Sequence, residues 1–345
     1  MTKILNVTIF AMMKSKYMST NHQNKNRLPW LDIAKAIAMI TVVFSHEFAS
    51  VKPFVILCNS FMLPLFFMCS GFCLSPKKYG KTEYLKRKSK TLLLPYFALG
   101  LIVSLLHLGV DGIDCVMARI GKEVFSWQTL WFLPVLFFAD VILYNFLSIS
   151  RNVKFTNLVV GLVSLLLGVI FCWKNITMII DISVVPIAVF YLSVGYGMKR
   201  MFSAETIRNQ GSLGLSLLVI GLVIMILTKS NLVLKLNDIL PLWKVAFSTM
   251  EAMGIMLILS TIAPPILQKL HCAMHLLEYI GKNTMVIFAF HMPIFFYSQT
   301  FIRPFFKSQF YYKPIEFVLI WGVCLVLAPW FNRYAPILIG KKHNR

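Results

Sequence analysis

The chain has 345 residues, of which 58% are hydrophobic and only 14% charged, with a mean hydropathy of +0.74. Ordinary soluble domains carry about 25% charged residues, so the composition excludes a soluble globular protein and indicates a polytopic membrane protein. The net charge of +21 does not indicate nucleic acid, because the basic residues fall in short clusters between apolar stretches, as topogenic charges do.

Lys3 and the apolar run Ile4 to Met13 imitate the start of a signal peptide. No small-residue cleavage site follows, and Lys14, Lys16, Lys25 and Arg27 make the next stretch basic. Residues 1–27 therefore read as an uncleaved basic cytosolic tail or interfacial helix, with Met18 as an alternative start. Beyond them, apolar windows of roughly 17 to 22 residues, enough to cross a ~30 Å hydrocarbon layer, centre near residues 40, 63, 101, 138, 165, 187, 220, 252, 289 and 323. They predict an all-α fold of about ten transmembrane helices. With the amino terminus inside, 22 Lys and Arg fall on inner segments and 9 on outer ones, so the positive-inside rule predicts both termini in the cytosol. A single membrane domain over residues 28–338 is followed by a short basic cytosolic tail over 339–345, and no linker or internal repeat divides it. The seven cysteines are scattered without a CxxC pair and imply no disulfide framework.

The first span, in RLPWLDIAKAIAMITVVFSHEF, carries Asp32, Lys35 and His46. Lys35 and His46 are eleven residues apart, which at ~100° per residue returns to the same helix face about three turns on. An ionisable group at mid-bilayer costs at least ~2.5 kcal/mol, so such a stripe should face a protein-lined or wet cavity and is a functional-site hypothesis by default. A satisfied structural histidine is the plainer reading of His46 alone, but the adjacent Glu47 and the Asp32/Lys35 stripe make a charged constellation.

In the second span, FMLPLFFMCSGF, the mid-span Pro64 and the pair Ser70 and Gly71 are accounted for by a kink and close packing. The loop YGKTEYLKRKSKTLLLPY sets Lys81, Lys86, Arg87, Lys88 and Lys90 against one acid, Glu83. Such a cluster either holds phosphates of a cytosolic nucleotide-like ligand or serves topology on anionic lipid. The fourth span opens on SWQTLWFLPVLFF, where Trp127 and Trp131 fit an outer aromatic belt and Pro134 a kink. Asp140, Asp181 and Glu251 are intramembrane acids that need a partner, for which Lys35, Lys244 or a protonated state are the candidates. His107 and His291 are the other histidines within spans, each readable as a structural hydrogen-bonding group or a substrate contact. HCAMH offers His271, Cys272 and His275, too few ligands for a metal site. Hydrolase-elbow, P-loop, zincin and dinucleotide motifs are absent.

Five of these segments, in order, resemble acyltransferase family 3 of integral membrane proteins, and within it the fucose 4-O-acetylase-like branch: WLDIAKAIAMITVVFSH, FMLPLFFMCSGF, KRKSKTLLLPY, WFLPVLF and IGKNTMVIFAFHMP. The position usually drawn as arginine is Lys35, a point charge without the guanidinium fork. The resemblance implies a multi-pass enzyme of a bacterial cell membrane that transfers an acyl group, usually acetyl from acetyl-CoA, to a hydroxyl of an envelope glycan or lipid-linked sugar. Nothing is bound permanently; acetyl-CoA is a dissociable donor. His46 then acts as general base or transiently carries the acyl group, while Asp32 and Lys35 set its tautomer and proton affinity. Arg87 and Lys90, at the family's paired basic positions, hold CoA, and His291, Glu251 and Trp131 contact substrate. From the residues alone, a transporter or flippase of a lipid-linked saccharide is a rival, since spans with intramembrane charge suit it equally; the lack of an internal repeat weighs against it. A noncatalytic sugar sensor has only the same polar stripe behind it.

Overall fold

The computed structural model describes residues 28–106, 130–174, 176, 178–201, 210–229, 242–269 and 271–341, so the 1–27 segment, His107 and Trp127 lie outside the described residues. Among these, every regular element is helical. Helix α1 spans Pro29–Glu47, α2 Lys52–Cys73, α3 Lys81–Leu106, α4 Phe132–Ile149, α5 Val153–Trp173 and α6 Val185–Met201. After them come α7 Gly211–Leu227, α8 Leu242–Lys269, α9 His271–Lys282, α10 Thr284–Phe301 and α11 Gln309–Tyr334.

Helices stand wherever the apolar windows centre, and α9 lies outside that set. Seven of them are long and apolar enough to cross a membrane: α2, α3, α4, α5, α6 counted from Asp181, α8 and α11. The 17-residue α7 is apolar but shorter. Helices α1 and α10 are not among the seven, because Asp32, Lys35, His46 and Glu47 interrupt one and His291, Pro293 and Gln299 the other. The candidate histidines His46 and His291 thus lie on two helices outside the seven.

Helix α1 is central, touching α2, α8, α9, α10 and α11. Ala34, Ala36 and Ala38 are fully buried, and such small side chains let neighbouring helices approach closely where apolar surface alone gives no drive to associate. By contrast, α5 displays Phe155, Leu158, Leu162 and Leu166 outward, a surface suited to hydrocarbon. Pro134, expected to kink the fourth span, instead lies in the first turn of α4, where a missing N–H costs no helical bond. Trp131, at the N-cap of α4, is buried and meets Phe132 edge-on instead of standing in a lipid-facing belt.

Gly71 explains the SGF segment as close packing. A Cβ there would fall 2.0 Å from the Leu192 carbonyl oxygen of α6, and one at Gly195 2.0 Å from that of Met68 in α2. The contact is backbone on backbone in both directions, so no side chain can give way. Gly71→Ala is expected to lower stability in detergent by about 1–3 kcal/mol, as overpacking does, whereas Gly80→Ala, with open space around its Cβ, should leave it unchanged. Equal thermal midpoints for the two variants would contradict this.

Candidate active site

The first end of α1 holds an ion pair of its own. Lys35 Nζ lies 2.6 Å from Asp32 Oδ1, with the Asp32 side chain buried and that of Lys35 31% exposed. Gly281 at the end of α9 packs on the Asp32 carbonyl oxygen so tightly that a Cβ would come within 1.8 Å of it. The backbone that presents the pair is therefore fixed by α9. His46 sits in the last turn of the same helix, eleven residues or roughly 16 Å along the axis at 1.5 Å per residue. Sharing a helix face over three turns does not bring these groups into contact. Lys35 is turned to Asp32, so any influence of this pair on the His46 tautomer acts over three turns of α1 and not by contact.

What meets His46 is His291. The two ring centroids are 5.5 Å apart, with planes inclined at 43°. His46 is exposed among the described residues, whereas His291 is only 2% exposed. His291 Nδ1 lies 3.0 Å from the carbonyl oxygens of both Ile287 and Phe288, acceptors one turn back on α10. Carbonyls only accept, so Nδ1 carries the hydrogen and the neutral ring has a bare lone pair on Nε2. That Nε2 is buried and has no hydrogen-bond partner among the described residues. An aromatic wall continues from the pair: Phe288 lies 6.2 Å from His291, Phe132 5.9 Å from Phe288, and Phe67 4.7 Å from Phe132. Trp131 joins it through Phe132. Helices α1, α2, α4 and α10 thus converge on one apolar-walled place that contains two imidazoles.

The basic segment is divided by its own helix. Between Ser89 and Leu93, α3 takes a π-helical turn, a feature frequent at functional sites. Just before it, Lys88 reaches inward to an ion pair with Asp140 of α4, which is fully buried and lies 3.3 Å from Ser70 Oγ. Asp140 therefore finds its cation in Lys88 and not in Lys35 or Lys244. Partners 52 residues apart leave no spacing signal in the sequence. Arg87 and Lys90 remain exposed. The Arg87 guanidinium stacks 4.2 Å above the Tyr79 ring and lies 3.6 Å from Glu83. The following helical surface is held by the C-terminal segment, where Gly340 packs against the Thr91 carbonyl and Lys341 Nζ donates to Asn283 Oδ1 at 2.9 Å.

At the far end of α1, Glu47 is buried beside the Glu316 carboxyl group of α11, and Lys313 donates to the Glu47 carbonyl. Tyr312 donates to Glu316 at 2.6 Å and Gln299 donates to both its oxygens at 2.9 and 3.1 Å. This network was not visible in the sequence, where Glu316 follows an unremarkable aromatic run. Glu251 is equally buried: its side chain lies beneath Gly221 of α7, near Ser60 and Tyr191. A half-open cavity of about 540 Å³ between α5, α6 and α8, lined by Leu158, Gly161, Phe190 and Met253 with Lys154 among its residues, includes none of the candidate residues. Among the described residues no three His, Cys, Asp or Glu side chains group as metal ligands.

An apolar bundle that sets an exposed imidazole against a buried one and presents cations at one helix entrance matches the chemistry of acyl transfer to a hydroxyl, which needs a proton acceptor within reach of the substrate. Comparison with known proteins agrees at the level of family. No curated protein and no solved structure matches the chain. The family described as an acyltransferase domain, acyltransferase family 3, matches residues 28–332. That stretch includes every candidate residue from Asp32 to His291, and the chain belongs to this family of membrane acyltransferases.

Proposed function

We propose that the protein is an O-acetyltransferase of the bacterial cell membrane, akin to the fucose 4-O-acetylase-like branch, which moves an acetyl group from acetyl-CoA to a hydroxyl of an envelope glycan or lipid-linked sugar. The observation that carries this reading is the exposed His46 imidazole set against a second imidazole within the bundle. His46 takes the proton of the acceptor hydroxyl while its oxygen attacks the thioester carbonyl. The carbon–sulfur bond breaks, CoA leaves as thiolate, and the proton carried by His46 ends on that sulfur. Trp131 belongs to the aromatic wall on which a sugar ring can lie. Glu251, among Ser60, Gly221 and Tyr191, is the buried acid of the substrate contacts proposed with His291 and Trp131.

Arg87, on the Tyr79 ring and beside Glu83, and Lys90 are both exposed, and with both termini inside they meet the CoA phosphates from the cytosolic side. Neutralising both should raise the apparent KM for the donor more than it lowers turnover, because charges on a non-reacting phosphate bind ground and transition states alike. Neutralising Lys77 and Lys78, also exposed, is the matched comparison. Equal KM changes for the two pairs would assign the cluster to topology or lipid. The functional reading as a whole is tested by comparing surface polysaccharide from cells with and without the protein. Loss of O-acetyl groups is the expected result, and an unchanged acetyl content with altered export would favour a transporter.

A further inference from the structure

We infer that His291 is the positioning residue of the reaction: its bare Nε2 accepts the N–H of His46 during turnover, so that the other His46 nitrogen faces the acceptor hydroxyl with its lone pair free. This rests on the reading of His46 as the general base.

Three observations on the His291 ring lead there together. Its Nδ1–H is held by two backbone carbonyls of α10, so the ring cannot swap tautomers without losing both contacts. Its Nε2 is buried without a partner, although a buried acceptor left unpaired costs free energy and native structures rarely tolerate it. The ring that meets the His291 ring is that of His46, at 5.5 Å between centroids. At that separation the facing edges of two imidazoles come within hydrogen-bond reach once the exposed His46 ring turns about its own bond. Buried Nε2 cannot reach a sugar hydroxyl itself, so it acts through His46. A neutral imidazole has one N–H and one lone pair. Giving the N–H to His291 leaves the lone pair for the substrate, and when His46 gains the substrate proton the same contact becomes charge-assisted and stronger. The stabilisation therefore grows as the proton moves, which is where an interaction raises turnover.

The experiment compares His291→Phe with His291→Gln. Phenylalanine keeps a ring but offers no acceptor, whereas the glutamine amide oxygen can occupy the place of Nε2. The expected result is a fall in kcat of about 10²-fold for His291→Phe, with donor KM unchanged and activity restored to within about 10-fold of wild type in His291→Gln. A merely structural histidine would give the reverse order, since the aromatic ring fills the site better. Equal impairment of the two variants, a loss carried by KM, or near-wild-type turnover in His291→Phe overturns the inference. His46→Ala separates this from the parent reading: full activity in that variant removes the general base itself. A second measurement needs no activity. In protein labelled with ¹⁵N-histidine, His291, assigned by its loss in the Gln variant, should be protonated at Nδ1 alone, and its Nε2 resonance should move in His46→Ala. An Nε2-protonated ring, or a resonance indifferent to His46, overturns the pairing.

Discussion

Replacing His46 by alanine is expected to abolish acyl transfer while the protein still inserts and folds. General-base catalysis is typically worth about 10² to 10⁴ in rate, so residual activity above about a tenth would remove His46 from that role. The substitution is clean because His46 is exposed, lies in the last turn of α1 and makes no hydrogen bond on which the bundle depends. It leaves no charge stranded and opens no core cavity. Rate should fall with donor KM unchanged, since CoA binding is proposed at Arg87 and Lys90 on α3. A raised KM with undiminished kcat would instead make His46 a binding group.

Removing the half-buried Lys88 cation that pairs with the buried Asp140 should produce the largest loss of stability. In Lys88→Met the Asp140 carboxylate, fully buried, keeps only the 3.3 Å contact from Ser70, and its second oxygen already lacks a partner. Breaking a buried ion pair from one side costs about 3–5 kcal/mol, whereas replacing both members by apolar groups is often neutral. Unfolding in detergent should therefore rank Lys88→Met well below wild type and Lys88→Met/Asp140→Leu close to it. A double variant as unstable as the single one would show that Lys88 packs α3 through its stem and not through the charge.

Much of this was legible in the chain. His46 stood out because an ionisable group in an apolar helix is expensive, and the helical period placed Asp32 and Lys35 on its face. Period gives direction around a helix and not separation along it, so it puts Asp32 and Lys35 on the His46 face but three turns away. The partners that matter come from distant segments: His291 for His46, Lys88 for Asp140, Tyr312 and Gln299 for Glu316. Side-chain pairing across helices depends on which turns face each other, and a π turn after Lys88 or tight seating of Gly281 on Asp32 shifts that register with no periodic trace. Pro134 and Trp131 were misread for a simpler reason. The start of α4 at Phe132 turns a kinking proline into a first-turn proline and a belt tryptophan into a buried cap.

The most direct measurement follows acetyl carbon and CoA thiol together in purified, detergent-solubilised protein given acetyl-labelled acetyl-CoA and an envelope glycan acceptor. The expected result is acceptor-dependent release of CoA, matched mole for mole by labelled O-acetyl ester on the glycan and absent in His46→Ala. Release without ester on the acceptor, ester formation undiminished in His46→Ala, or glycan translocation with no CoA released would contradict the account.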